Sequence, residues 1–144
     1  MIPRTALPAV LEKLNAMAAA ENLRVTNVFH AGDGNLHPII LYDRNNPDEE
    51  ERAIDLSLRI LDVCVEAGGS ITGEHGVGRE KQCSMSYMFA DPDLETMQRL
   101  RHAFDPLNLS NPDKLFPTPR LCGERSRGAY APHPMEASGI AEVF

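Results

Sequence analysis

The chain has 144 residues, which is the size of one domain with a single hydrophobic core. Its formal net charge of −7 argues against nucleic-acid binding, because that activity depends on clustered Lys and Arg. No apolar run has the length of a transmembrane helix and no signal-peptide pattern is present, so we expect a cytoplasmic protein. The three cysteines are widely spaced, and we expect reduced thiols.

The N-terminal third predicts a helix followed by a β-hairpin. Apolar residues spaced three and four apart predict a helix over residues 5–21. Two β-rich runs follow at residues 24–30 and 37–42. Between them, Gly32-Asp33-Gly34-Asn35 supplies residues that tolerate positive φ, so we expect a hairpin with a wide turn. Pro38 lacks a backbone donor and predicts a bulge or an unpaired position in the second strand.

The central part of the chain predicts a long amphipathic helix over about residues 48–67. Acidic residues near its start complement the helix dipole, and Gly68-Gly69 ends the helix. We expect one face of this helix to be buried, formed by Ile54, Leu58, Leu61, Cys64 and Val65. A short strand is then expected at residues 70–72.

The C-terminal part predicts two further helices and a tail. The polar residues 79–82 are expected to open a short helix, and Asp91-Pro92-Asp93 to cap a helix that ends near Phe104. The buried side of that second helix should carry Leu94, Met97, Leu100 and Ala103. Because Gly, Ala, Pro and Ser dominate the last residues, we expect a domain over residues 1–119 and a mostly disordered tail over residues 120–144.

Two glycine-rich segments carry the candidate chemistry. His30-Ala-Gly-Asp-Gly-Asn-Leu-His37 places an imidazole at each end of a glycine-rich turn, and Gly73-Glu74-His75-Gly76 places a carboxylate beside a third imidazole. Because a hairpin brings its two ends together, His30 and His37 can share one ion. Gly73 and Gly76 permit the backbone kink that would let Glu74 and His75 face one site.

The residue types predict a division of roles at such a site. Two nitrogens and one oxygen, from His30, His37 and Glu74, are a ligand set suited to Zn²⁺, with Fe²⁺ or Mn²⁺ as alternatives. His75 would remain without a metal and act as the general base, because an imidazole suits proton transfer near neutral pH. Structural alternatives stay open, because histidines near turns are often structural and Glu74-His75 also fits a solvated loop.

Two polar residues of the hairpin turn are candidates to orient the imidazoles. Asp33 and Asn35 carry the short oxygen-bearing side chains that commonly contact metal-bound histidines from the second layer of a site. Ordinary turn chemistry explains both residues as well, and for Asn35 the two explanations are equally good.

These motifs resemble a known family. Residues 28–38 and 73–81 look like the C-terminal region of the FAD-linked oxidases, which include bacterial glycolate oxidase subunits, D-lactate dehydrogenases and D-2-hydroxyglutarate dehydrogenases. Shorter stretches, namely Pro3-Arg4-Thr5, Leu7-Pro8, Phe104-Asp105-Pro106, Asn111-Pro112 and Lys114, are similar to the same family. The resemblance therefore covers residues 3 to about 119.

The resemblance implies both a fold and an activity. The fold is α+β with ferredoxin-like character, an antiparallel sheet with helices on one face, present here as an incomplete substrate-binding (cap) domain. The activity is oxidation of a small 2-hydroxy acid such as glycolate or D-lactate, with hydride transfer to FAD.

The resemblance also implies roles for single residues. The residues that match the family's metal ligands are His30, His37 and Glu74, and His75 matches its base. Asn111 lies in the run that approaches the flavin domain in the family. By residue type alone, and not from the resemblance, Arg4, Arg79 and Lys81 are candidate contacts to an anion such as the substrate's carboxylate, although a solvated role is the better-supported alternative for each.

The family's flavin-binding region lies N-terminal to the region matched here, and its glycine-rich segments do not occur in these 144 residues. We therefore expect a flavin-binding domain as a partner, in the same polypeptide or in a separate one. Further oxidase subunits would place the chain at the inner face of the membrane. The alternatives are a non-catalytic metal-binding or assembly module derived from the family and a stand-alone metal-dependent hydrolase.

Overall fold

The computed structural model describes residues 1–117 and confirms the α+β class. Helix α1 (Leu7–Ala20) follows a short 3₁₀ helix (Arg4–Ala6) and precedes the hairpin strands β1 (Arg24–His30) and β2 (Asn35–Leu41). The remaining elements are helix α2 (Pro47–Glu66), a second 3₁₀ helix (Gln82–Tyr87) and helix α3 (Asp91–Phe104). The predicted tail at residues 120–144 lies outside the described residues.

Helices α1 and α2 pack against one face of the hairpin. Helix α1 buries Val10, Leu14 and Ala18, which recur every four residues and so line one side. Val25, Leu36 and Ile40 of the hairpin pack against the same hydrophobic cluster. Strand side chains alternate between faces, and on the other face Val28, Ile39 and Leu41 are exposed, so no helix of residues 1–117 covers it. The expected arrangement, with helices on one face of an antiparallel sheet, is therefore present for the part of the sheet described here.

The hairpin is tighter and more regular than the sequence predicts. Its antiparallel register runs without interruption from the pair Arg24↔Leu41 to the pair His30↔Asn35, so Asn35 belongs to β2. Pro38 lies directly opposite Asn27, and the predicted bulge is wrong. In an antiparallel pair the N–H groups of alternate residues point away from the partner strand, so a proline can occupy such a position.

The predicted buried face of α2 is only partly correct. The residues that α2 contributes to the core it shares with α1 and the hairpin, here called the first cluster, are Ala53, Leu56, Ile60, Val63 and Cys64. Ile54 is exposed. Leu61 and Val65 contact a second cluster instead. Helix α2 therefore lies between two hydrophobic clusters and carries one apolar stripe for each. A prediction that assumes one buried face assigns residues of both stripes to the same face.

The second cluster joins the loop after α2 to α3. Its buried residues are Ile71, Val77, Met85 and Leu94. Helix α3 has the predicted bounds, and the carboxylate of Asp93 accepts a hydrogen bond from Ala90 N at its start. The predicted burial of Leu100 and Ala103 is wrong, because the C-terminal half of α3 extends beyond this cluster.

Two local expectations fail for non-local reasons. Residues 70–72 form no strand. Within residues 1–117 the sheet consists of β1 and β2, and Ser70 instead exchanges two backbone hydrogen bonds with Met1.

Cys64 is a buried free thiol, but Cys83 is disulfide-bonded, so the expectation of reduced cysteines is wrong for Cys83. Sequence spacing does not report the distance between two sulfur atoms in the fold.

Candidate metal and proton-transfer site

The strand register brings His30 and His37 together. Val28 pairs with His37 and His30 pairs with Asn35, so the two imidazoles are diagonal neighbours on the face that carries no helix. Their ring centroids are 5.5 Å apart and the rings are nearly perpendicular. The glycine-rich motif predicts both residues at the end of a hairpin, and the register places them on one face of it.

The loop of residues 70–78, here called the ligand loop, adds a carboxylate and a third imidazole. Glu74 Oε1 lies 3.1 Å from His37 Nε2 and 3.7 Å from His30 Nε2. His75 Nε2 is also 3.7 Å from the same oxygen, and the His75 ring centroid is 5.0 Å from that of His37. The three predicted imidazoles thus surround one oxygen of the predicted carboxylate.

Hydrogen bonds to residues elsewhere in the sequence hold the ligand loop in place. The backbone of Ser70 pairs with Met1, and Lys81 Nζ donates a hydrogen bond to Ile71 O. Ile71 itself is buried in the second cluster. At the tip, Thr72 Oγ1 donates to Gly76 O and closes the turn that presents Glu74 and His75. The tip is therefore fixed from both sides.

Gly73 allows the loop to approach the hairpin closely. A Cβ atom at this position would lie 2.4 Å from Asn35 Oδ1, which is too short for a real contact. Asn35 is only 5% exposed, so its amide has little room to move. Its Nδ2 is 3.4 Å from His37 Nε2, at the limit of hydrogen-bond reach. The amide contacts the same nitrogen that faces Glu74, so an ion bound there would replace this contact.

The donor types suit a divalent ion, and the two distances from Glu74 can be compared with those of a bound ion. One nitrogen of each of His30 and His37 and one oxygen of Glu74 all lie within 4.8 Å of one another. Ligands bound about 2.1 Å from one ion are about 3.0 Å apart in octahedral and about 3.4 Å apart in tetrahedral geometry. The Glu74–His37 distance matches this range. The Glu74–His30 distance exceeds it by a few tenths of an ångström, which the half-exposed His30 side chain can close by rotation.

The site is open to solvent on one side. The side chains of His30 and Glu74 are about half-exposed and that of His75 is 73% exposed, whereas His37 is largely covered. A structural metal site is normally closed by four protein ligands, and a catalytic one keeps a position for water or substrate. Three candidate ligands with an open side have the arrangement expected of the second type.

The other predicted residues lie in different surroundings. Asp33 is exposed in the hairpin turn, where its N–H donates to His30 O, and Arg79 is exposed at the end of the ligand loop region. The ammonium of Lys81 is bound to the Ile71 carbonyl, and Asn111 Oδ1 accepts a hydrogen bond from Lys114 Nζ. Roles for these residues toward substrate or flavin stay predictions.

Burial shifts the pKa values of two further groups near the ligand loop, the Met1 α-amino group and the Cys64 thiol. Desolvation lowers the pKa of the Met1 α-amino group, which lies against Ser70 O. Burial raises the pKa of the Cys64 thiol, so this thiol stays protonated near neutral pH and is a poor ligand or nucleophile. The Cys64 thiol is therefore not a candidate for the chemistry of this region.

Sequence reasoning missed the part played by the first two residues. Ile2 is buried in the first cluster, and its N–H donates to Gly34 O in the hairpin turn. Gly34 has φ +70°, and a Cβ there would collide with Ile2 O. Met1 and Ile2 thus connect the hairpin turn to the ligand loop, and no local pattern signals a contact across so long a stretch of chain.

Comparison with known proteins identifies the class that this fold and site define. Residues 1–115 match the family described as FAD linked oxidases, C-terminal domain, and the chain belongs to that family. Within residues 1–117, no helix is long and apolar enough to cross a membrane.

Relatives within the family are oxidases and dehydrogenases. The chain is 52% identical to glycolate oxidase subunit GlcD of Escherichia coli over 123 residues, which cover 85% of this chain and 25% of that protein. It is 38% identical to the GlcD subunit of Bacillus subtilis, over 80% of this chain and 24% of the relative. It is 31% identical to the mitochondrial D-lactate dehydrogenase [cytochrome] of Arabidopsis thaliana, over 84% of this chain and 21% of that protein. The chain spans about a quarter of the length of these relatives.

Proposed function

We propose that this chain is the metal- and substrate-binding part of an FAD-dependent 2-hydroxy-acid dehydrogenase that oxidises glycolate or D-lactate. The observation that carries the proposal is the convergence of His30, His37 and Glu74 on one point of an open sheet face. The names of the relatives support the reaction class, because they are a glycolate oxidase subunit and a D-lactate dehydrogenase.

In this proposal the three converging residues hold a divalent cation. Zn²⁺ suits two imidazoles and a carboxylate, and Fe²⁺ or Mn²⁺ are the alternatives. When bound, such an ion stabilises negative charge on a substrate hydroxyl, while FAD accepts the hydride from the adjacent carbon. Glu74 balances part of the ion's charge, and the covered position of His37 limits the motion of one ligand.

His75 is proposed to remove the proton from the substrate's hydroxyl group. Its ring is close to His37 but more exposed than either ligand imidazole, so it can exchange the proton with solvent. Arg79 and Lys81 are proposed as weaker contacts to the substrate's carboxylate. Asn111 is proposed to lie toward the flavin.

The proposal requires a flavin-binding partner. Side chains supply no hydride acceptor, so FAD has to be held largely by another domain, in the same polypeptide or a separate one. Large apolar side chains, Phe104, Leu107 and Leu109, are at least 75% exposed, which is typical of a surface that contacts further protein. Additional oxidase subunits, and through them a position at the cytoplasmic face of the membrane, belong to the same proposal.

A chimeric enzyme tests this function. Residues 1–117 replace the matching C-terminal quarter of E. coli GlcD, and loss of flavin absorbance on adding glycolate or D-lactate is measured by stopped flow. We expect substrate-dependent flavin reduction. The variant His75→Ala should retain its metal and lose roughly 10²- to 10⁴-fold in rate, because it lacks the proposed base. His102→Ala, which removes an exposed imidazole on α3, is the control and should react like the parent chimera.

The outcomes separate the proposed enzyme from its rival. A chimera that binds metal and FAD but shows no flavin reduction with either acid would favour the non-catalytic metal-binding module. Full activity of His75→Ala would remove the assignment of the base while leaving the enzyme class intact.

A further inference from the structure

The sheet face that carries the imidazoles also carries an apolar patch. Val28 pairs directly with His37 across the hairpin, and Ile39 follows His37 by two residues on the same strand, so all three side chains point to one face. Val28 is 55% exposed and Ile39 is 46% exposed. We call these two residues the Val28/Ile39 patch.

The patch forms the open flank of the candidate metal site. On the turn side of His37, the same-face neighbour is Asn35, which is buried beneath Gly73 of the ligand loop. Glu74 lies on that side, within 3.7 Å of His30 Nε2 and 3.1 Å of His37 Nε2. On the other side of His37 the described chain places nothing over the patch that would bury it, so a ligand held at the imidazoles meets Val28 and Ile39 next.

We propose that the Val28/Ile39 patch determines specificity by binding the side chain of the 2-hydroxy acid. The chain should therefore favour acids with an aliphatic side chain over an acid with none and over acids with a second carboxylate. This inference rests on the proposed function, because it takes the hydroxyl and carboxylate groups of the acid to be held at His30, His37 and Glu74.

The covalent structure of the acid makes the patch reachable. The hydroxyl, the carboxylate and the side chain share one carbon atom, so the side chain begins two bonds from the groups held by the site. Directly opposed residues of an antiparallel pair have Cβ atoms about 5 Å apart, so Val28 lies within one side-chain length of His37.

The charges along this face disfavour a second carboxylate. Going away from the turn, the next pair on the same face is Thr26↔Ile39, and the first cation in the register is Arg24. Arg24 is four residues from Val28, which is about 14 Å along the strand. A carboxylate on a short side chain would lie against valine and isoleucine, with no cation of the hairpin close to it, at a cost in desolvation.

Calorimetric titration of the Zn²⁺-loaded full chain tests the inference without relying on turnover. The ligands are glycolate and the D-enantiomers of lactate, 2-hydroxybutyrate, 2-hydroxycaproate and 2-hydroxyglutarate. Each methylene added should raise affinity about twofold to fourfold, the upper value corresponding to full burial of a methylene group. D-2-Hydroxycaproate should bind at least about tenfold more tightly than D-2-hydroxyglutarate, whose side chain is of similar length but charged.

Matched variants locate the effect. The double variant Val28→Thr/Ile39→Thr keeps β-branched residues in exposed strand positions and should fold, but its apolar surface is reduced. We expect glycolate to bind as in the parent, with the dependence on chain length reduced to less than half. Leu41→Thr is the control, because Leu41 lies on the same face and is 42% exposed, but it is about 14 Å along the strand from His37.

The results divide the two proposals. If all the acids bind with equal affinity, or if the double variant keeps the full dependence on chain length, the inference about the patch is overturned and the proposed function stands. If the chain binds Zn²⁺ but none of the acids, or binds no Zn²⁺, the proposed function fails and this inference fails with it.

Discussion

Two irregular regions of the molecule are held in different ways. The ligand loop, residues 70–78, is attached to distant residues: Ser70 pairs with Met1, and Gly73 lies against Asn35. The C-terminal segment, residues 105–117, is held mainly by near neighbours. Asp105 accepts hydrogen bonds from Leu109 N and Ser110 N within the segment, and the single backbone bond to the ligand loop region runs from Leu115 N to Gly78 O.

The two regions also differ in where their apolar side chains lie. Ile71 and Val77 of the ligand loop are buried in the second cluster, so the described core itself fixes the position of Glu74 and His75. Leu107 and Leu109 of the C-terminal segment are exposed. A region whose side chains are already buried can form a site by itself, whereas one with exposed apolar side chains requires further protein to cover them.

Among the variants that test the difference between the two regions, Gly73→Ala is expected to have the largest effect on stability and metal binding. The added methyl group would lie 2.4 Å from Asn35 Oδ1, so the ligand loop or the amide has to move. We expect a loss of about 1–3 kcal/mol in the free energy of unfolding, together with weaker metal binding. Urea denaturation and Zn²⁺ titration measure the two effects.

Gly32→Ala is the matched control for that variant. Gly32 lies in the hairpin turn without positive φ, and a methyl group added there would meet no heavy atom within 4 Å beyond its chain neighbours. This substitution should be neutral or stabilise the fold by up to about 1 kcal/mol, because it restricts the unfolded chain. Equal urea midpoints for the two variants would show that the ligand loop is not held by close contact with Asn35.

A smaller effect is expected in the C-terminal segment when the pH falls. The hydrogen bonds from Ser110 N and Leu109 N lower the pKa of Asp105 below its ordinary value. Because the pKa of Asp105 is lower in the folded state than its unfolded value of about 3.9, the ionised carboxylate stabilises the fold at pH values above about 3.9. This contribution is lost as the pH falls through the folded-state pKa. The local turn should therefore be intact at pH 5 and loosen only below about pH 4.

NMR shifts of the Leu109 and Ser110 amide protons measure this transition, and Asp105→Ala should abolish it. Because the bonds are local, the Glu74 and His75 signals should not follow the same midpoint. A transition above the ordinary aspartate range, or one shared with the ligand loop, would contradict the separation of the two regions.

The sequence predicted the helices and the hairpin well, because they depend on local patterns, and its two motifs indicated side chains that the fold brings close together, whose roles stay predictions. Apolar spacing predicted α1 and α3, the turn chemistry predicted the hairpin, and the two motif blocks indicated His30, His37, Glu74 and His75. Residue types at fixed spacing are sufficient for such predictions.

The parts that failed depend on contacts between distant residues. Ser70 pairs with Met1 and not with a strand, α2 divides its apolar residues between two cores, and Asn35 is buried by a glycine on another loop. None of these contacts leaves a periodic signal in the sequence. The motifs therefore indicated the candidate ligands, but only the fold shows that Gly73, Met1 and Ile2 bring them together.

The central claim is that His30, His37 and Glu74 share one ion, and the zinc content of the purified chain tests it most directly. After dialysis against Zn²⁺ and removal of free metal, the wild-type chain should retain about one ion, measured by plasma mass spectrometry. His37→Ala should weaken binding at least about 100-fold and retain essentially none, and His102→Ala should bind as the wild type does. Equal zinc content in His37→Ala and wild type would contradict the account.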